Sequence, residues 1–269
     1  MPRKYDVGYK AKGDYGEFEV IEYIDKYKVL IKFSLTGYEV WCASNNVAKG
    51  RVKDPYYPNV WGVGYLGNAK ASYKNSEGKT CLKTSYNTWA HMIRRCYGFA
   101  GDKVNTYDDC SVSDDWLCFE IYERWFDKYC KEGYQVDKDL KYLGNRVYSE
   151  STCTFIPNYI NAILGYKTHN TVRQEKFKDL PVGVSFHKRD LVYCARCWDG
   201  GKLQSLGYHN NPQAAFNAYK IYKERLIKEI AGRAYSNKEI CKQVYENLYN
   251  YVVYPDGHKY YLDNPQEIK

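Results

Sequence analysis

The sequence predicts an α+β protein: a run of short strands, then helices around a strand–turn–strand unit, then a second small sheet followed by a helix. Three observations predict it. Between Gly16 and Ala48 the runs EFEVIEYI, YKVLIKF and YEVWCAS are rich in Val, Ile, Tyr and Phe and are broken at Asp25-Lys26 and Thr36-Gly37, as strands joined by turns are. From Thr84 apolar residues recur at helical spacing. Beyond Leu180 three strand-like runs precede Asn211-Pro212, an N-cap with proline at the first helical position.

Taken in order, residues 1–67 form a small β module, a barrel or curled sheet. Lys49-Gly50-Arg51-Val52-Lys53 and Asp54-Pro55-Tyr56-Tyr57-Pro58 give it a turn-rich exit. The polar stretch Asn68 to Thr80 reads as a linker. In the next helix Trp89, Met92, Ile93 and Cys96 make one apolar stripe, with Arg94 and Arg95 away from it. Trp116 to Tyr129 reads as a second amphipathic helix, inside a locally acidic stretch from Gly101 to Asp127. Residues 80–166 make the central domain, closed by a short helix over 159–164. A basic linker, Gly165 to Lys178, leads to a third module at 179–232. There the Gly200-Gly201 turn joins strands two and three, and Ala214, Ala215, Ala218 and Tyr222 give the helix a small-residue face. The tail, 236–269, begins with an amphipathic helix over Ser236 to Val253 that packs on the third module or mediates dimerisation.

Composition bounds the function. With 44% hydrophobic and 27% charged residues, the 269-residue chain is a folded one. A net charge of +8 suits polyanions. The 31 tyrosines suit interfaces, since each ring can be buried with its hydroxyl wet. No apolar run approaches the roughly 20 residues of a membrane span, and the charged N-terminus lacks a signal core. The expected setting is cytoplasmic, the host cytoplasm if the chain is phage-encoded, with its ten cysteines reduced. Cys194 and Cys197 are the only C-x-x-C pair, and no zinc is expected there because a structural site takes four converging ligands.

The chemistry-bearing stretch is Gly133 to Pro157, GYQVDKDLKYLGNRVYSESTCTFIP. An apolar run ends in Asp137; Lys138 and Asp139 follow, then a Gly144-Asn145 turn, then Tyr148-Ser149 leading into Cys153-Thr154-Phe155. Strand, turn, strand and helix make a ββα unit, which on these features alone is an ordinary structural hairpin. The stretch resembles the HNH (His-Me finger) nucleases of phages. Trp-x-x-Met-x-x-Arg-Cys-Tyr at Trp89 to Tyr97, and Val112-Ser113-Asp114-Asp115-Trp116 with Phe119, resemble segments preceding that hairpin. The resemblance implies a divalent cation, Mg²⁺ or Mn²⁺, on Asp137 with Asn145 or Asp139, and catalysis through Asp137, Lys138 and Asn145. Two positions depart from the pattern. Lys138 stands where the base histidine is expected, either as a desolvated base or as a cation facing the phosphate, and Thr152 replaces a second amide ligand.

Residues 180–232 are similar to the plant ethylene-response-factor (Apetala-two) DNA-binding domain in Gly183-Val184, Tyr193-x-Ala195, Gly201-Lys202, Leu206-Gly207 and the Ala-rich helix from Ala214 to Tyr219. That resemblance implies a sheet laid in the major groove of double-stranded DNA. Ser185 and His187 take the arginine contact positions, and Lys188, Arg189 and Lys202 reach phosphates. Strand alternation puts Tyr193, Ala195 and Cys197 on one face and Cys194, Arg196 and Trp198 on the other. Ser205 stands where the plant proteins have tryptophan. The expected function is therefore an HNH-like, metal-dependent DNA endonuclease, a homing enzyme included. The alternative is a catalytically inactive, nuclease-derived DNA-binding regulator or counter-defence factor. An RNA-binding accessory protein is a third class.

Overall fold

A computed structural model describes residues 5–98, 109–165 and 180–257. The chain mixes helix and sheet, as expected for α+β, and divides into two compact units, Met1–Lys128 and Tyr129–Lys269. No helix among the described residues is long and apolar enough to cross a membrane.

The first unit opens with β1 (Lys10–Gly13), β2 (Gly16–Asp25), β3 (Lys28–Phe33) and β4 (Glu39–Cys42), an antiparallel meander in the order β1-β2-β3-β4. Alternation sends Phe18, Val20, Val29, Ile31 and Phe33 inward, each 1% exposed or less. The meander is an open sheet and not a closed barrel: β1 and β4 stay at its edges. Four strands are too few to close around a side-chain core. Val47 of α1 (Ser44–Ala48) and Val52 pack against the same core instead.

The stretch read as a linker carries a hairpin, β5 (Ser72–Lys74) paired with β6 (Thr80–Leu82). In α2 (Thr84–Tyr97) Trp89, Met92, Ile93 and Cys96 are buried as their spacing predicts. A short β7 (Ser111–Val112) follows. The second predicted helix is split into α3 (Asp114–Leu117) and α4 (Phe119–Tyr129), with Cys118 extended between them. Tertiary hydrogen bonds explain the break: Tyr65 N donates to Leu117 O (3.0 Å) and Phe119 N to Tyr65 O (2.8 Å), a bridge no continuous helix could make. Trp89 Nε1 donates to Trp116 O at 2.7 Å, joining α2 to α3.

The second unit begins with β8 (Tyr134–Asp137), β9 (Val147–Tyr148) and β10 (Thr154–Pro157), then α5 (Asn158–Leu164). β8 pairs antiparallel with β10, Asp137 opposite Thr154, so the chain makes a long excursion between the strands and not a tight hairpin. Next come β11 (Val184–His187), β12 (Val192–Trp198) and β13 (Leu203–His209), an antiparallel sheet in that order, then α6 (Pro212–Ser236) and α7 (Lys242–Tyr249). The expected N-cap is present: the Asn211 side chain accepts from Ala214 N at 2.8 Å. The single tail helix is not. α6 runs on to Ser236, the chain turns at Lys238 (φ 58°), and α7 starts afresh. The apolar stripe Ile240, Val244 and Leu248 is spent within the unit, in one core with Ile156 and Ile160 of the ββα segment and Phe216, Ile227 and Ile230 of α6.

Gly183 sets how closely α6 approaches this sheet. It has φ +77°, and a Cβ there would lie 2.1 Å from Cδ2 of Tyr219. Gly133 has the same φ of +77° with nothing within 4 Å of an added Cβ. Gly133→Ala is expected to cost only the left-handed backbone penalty, about 1–2 kcal/mol. Gly183→Ala adds overpacking and should cost a further ~1–3 kcal/mol. Urea unfolding of the two variants side by side checks this; equal losses would refute the packing argument.

Candidate functional site

The ββα segment brings Asp137, Lys138, Asp139 and Asn145 together, and it ties them to one another. Asp137 ends β8 and is buried, 9% exposed. Its Oδ1 accepts the backbone N–H of Leu140 (2.7 Å) and of Asp139 (3.0 Å), so the carboxyl caps the loop that follows. Burial first, and then the neighbouring charge of Asp139, push its pKa up to about 7; the two N–H groups and Lys138 pull the other way.

Lys138 is also buried, 7% exposed, and donates to Asp139 Oδ2 (3.0 Å) and Asn145 O (3.2 Å). The Asn145 side chain faces backbone: Nδ2 donates to Lys138 O (2.7 Å) and Val147 O (2.8 Å), while Oδ1 accepts from Val147 N (3.3 Å). Gly144, at φ 79°, makes this turn possible. Thr152, where the nuclease resemblance would imply a second amide ligand, donates to Val147 O (2.6 Å) and bonds Ser149 Oγ (2.8 Å). Burial raises the Cys153 thiol to about 12, which leaves it protonated and inert.

A hard divalent cation needs several free oxygens. Here the ammonium of Lys138 already lies against Asp139, and both polar atoms of the Asn145 amide are engaged with backbone. The described residues contain no group of three or more His, Cys, Asp or Glu side chains placed to hold a metal. As it stands, the donor set does not fit a bound Mg²⁺ or Mn²⁺; Asp139 would first have to give up Lys138.

The second candidate surface is the face of β11–β13 turned away from α6. Ala195 and Cys197 are buried towards the helix and Arg196 is exposed, as alternation predicts. Alternation fails one residue earlier. A register shift between Cys194 and Arg196 leaves Cys194 buried as well, 3% exposed. Arg196 N donates to Gly183 O at 2.9 Å, and its partner across the sheet is Ser205, also exposed. The guanidinium makes no hydrogen bond or ion pair among the described residues. Ser185, Lys188 and Lys202 are exposed and Trp198 is half-buried. Asp199 anchors the β12–β13 turn by accepting from Gln204, Lys202 N and Gly201 N, contacts that lower its pKa to about 2.

Two expected contacts are less available. Arg189 pairs with Asp190 (2.8 Å), and His187 Nδ1 lies 3.1 Å from the same carboxylate. His187 also packs edge-on against Tyr208 at 6.3 Å.

Two positioning residues escaped the sequence reading. Asn247 of α7 donates to Leu140 O and Lys141 O, both at 3.0 Å, and so holds the loop beyond Asp137 from the far end of the unit. Lys223 of α6, buried at 3% exposed, donates to Ile163 O near the end of α5; burial lowers its pKa. Its place midway between Tyr219 and Ile227, at four-residue spacing on the apolar stripe of α6, was the visible signal. Comparison with protein-family models, curated proteins and solved structures finds no match.

Proposed function

We propose that the chain is a duplex-DNA-binding protein that reads DNA with the outer face of β11–β13 and carries an HNH-like ββα scaffold without cutting. The observation that carries this reading is Arg196: an uncommitted guanidinium within β12, on the sheet face opposite the packed helix, with exposed Ser185 and Ser205 on the neighbouring strands and exposed Lys188 and Lys202 in the turns at the two ends of the sheet. Such a group can contact guanine in the major groove bidentately, with the lysines placing the backbone. The pairing of Lys138 with Asp139 and the bonding of the Asn145 and Thr152 side chains to backbone support the non-cutting half, since three of the side chains the nuclease resemblance would use are engaged within the segment. A DNA-binding regulator or counter-defence factor fits both halves.

The test is duplex binding by the full chain across a salt series, beside nicking of supercoiled plasmid in Mg²⁺ and in Mn²⁺. Affinity falling with salt and an intact plasmid are expected. Duplex binding that ignores salt would overturn the reading.

Cleavage is the second reading, favoured by one observation: Asp137 and Asp139 sit together where β8 ends, the place the resemblance assigns to the cation. A metal there would supply electrostatic stabilisation of a phosphate, with Asp137 and Asp139 holding it and Lys138 turned away. Nicking by the wild type that Asp137→Ala abolishes would select this reading.

A further inference from the structure

We infer that the tip of the β2–β3 hairpin is a stacking site for single-stranded nucleic acid. The inference is independent of the β11–β13 face. The outer side of the first sheet has two halves of different character. At one end a row of charges runs across all four strands and is self-neutralised: Lys10 pairs with Glu19 (3.4 Å), Lys32 with Glu39 (2.9 Å), and Glu19 stands opposite Lys32. That end is a solvated face.

The hairpin end differs. Lys26 Nζ lies 4.8 Å from the ring centre of Tyr27, and Lys28 Nζ lies 5.2 Å from that of Trp41. Neither ammonium has a carboxylate at ion-pair distance among the described residues. Asp25, the nearest in sequence, accepts the backbone N–H of Tyr27 at 2.7 Å. Both rings are open, Tyr27 at 72% exposed and Trp41 at 42%, and Trp41 stands directly across from half-buried Leu30 on the edge strand β4. Two exposed planar rings, each with an ammonium over it that has no carboxylate partner among the described residues, match what a single strand offers: unstacked bases for the rings and a phosphate for each lysine. An acidic peptide would use the lysines and leave the rings without a planar partner. A duplex would keep its bases out of reach of them.

The experiment uses the full chain and fluorescein-labelled oligothymidylate and oligouridylate 15-mers, read by anisotropy. Trp41→Ala is expected to weaken binding about tenfold or more, with Trp41→Phe within about threefold of the wild type. Lys26→Ala with Lys28→Ala should lower the salt slope by about 1.4, two phosphates at ~0.7 each. Duplex affinity should hold in all three variants, while Arg196→Ala lowers duplex affinity and spares the oligonucleotide. The sugar preferred identifies DNA or RNA as the source of the strand. Oligonucleotide affinity unchanged in a folded Trp41→Ala, or polyglutamate competing as well as unlabelled oligonucleotide, would overturn the inference.

Discussion

Asp137→Asn is expected to remove a stability loss that the wild type suffers as pH rises from about 4 to about 7. The folded carboxyl titrates near 7 against an ordinary value of 3.8. Between those values the folded chain holds a proton that the unfolded chain has released, so stability is greatest below the lower value and falls through the higher one. At roughly 1.4 kcal/mol per pKa unit, the loss reaches about 4 kcal/mol at most. Asparagine keeps an oxygen for the N–H groups of Asp139 and Leu140 and has nothing to titrate. It should therefore be the more stable protein at pH 8, by about 2–4 kcal/mol. Asp137→Ala lacks the acceptor, strands those N–H groups, and should fall below the wild type at pH 5 by about 1–3 kcal/mol. Urea unfolding at pH 5, 6, 7 and 8 reads all three proteins. A wild-type stability that is flat across this range would sink the argument. Added Mg²⁺ separates the two readings of the site: a cation bound at Asp137 would stabilise the wild type at pH 8 and spare the asparagine variant.

Arg196→Ala is expected to cost on the order of 1–3 kcal/mol at a specific duplex site and to flatten the preference at one base position. Lys188→Ala should instead weaken all duplexes alike and lower the salt slope by about one. Both are measured on the full chain, because the reader does not own its core. Phe216, Ile227 and Ile230 of α6 share theirs with Leu140, Ile156 and Ile160 of the ββα segment, and cutting at residue 180 would expose that surface to water. Similar losses on every sequence for both variants would reduce Arg196 to a phosphate contact and remove the groove-reading proposal.

The local order of the chain is legible in the residues alone. Period-two runs placed β2, β3 and β12, helical spacing placed α2, and Asn211-Pro212 opened α6, because these features depend on neighbours a few residues apart. Alternation also exposed Arg196 and buried Ala195 and Cys197 correctly. It failed at Cys194, where a bulge set by the partner strand β13 shifts the register. Cys118 breaks a predicted helix for a similar reason, since hydrogen bonds to Tyr65 outweigh its helical spacing. The tail helix turned out to be two, because Ile240, Val244 and Leu248 are buried only if the chain reverses after Ser236. The site divides the same way. Residues 137–145 show which polar groups are near one another, and hence the candidates. Whether Lys138 faces solvent or Asp139, and whether Asn145 offers its amide to a ligand or to backbone, depends on buried donors and acceptors finding partners. Those partners lie within ten residues, but the loop that carries them is fixed by α7, whose Asn247 holds the Leu140 and Lys141 carbonyls and whose Val244 and Leu248 share a core with Leu140 and Leu143, and no local pattern reveals that.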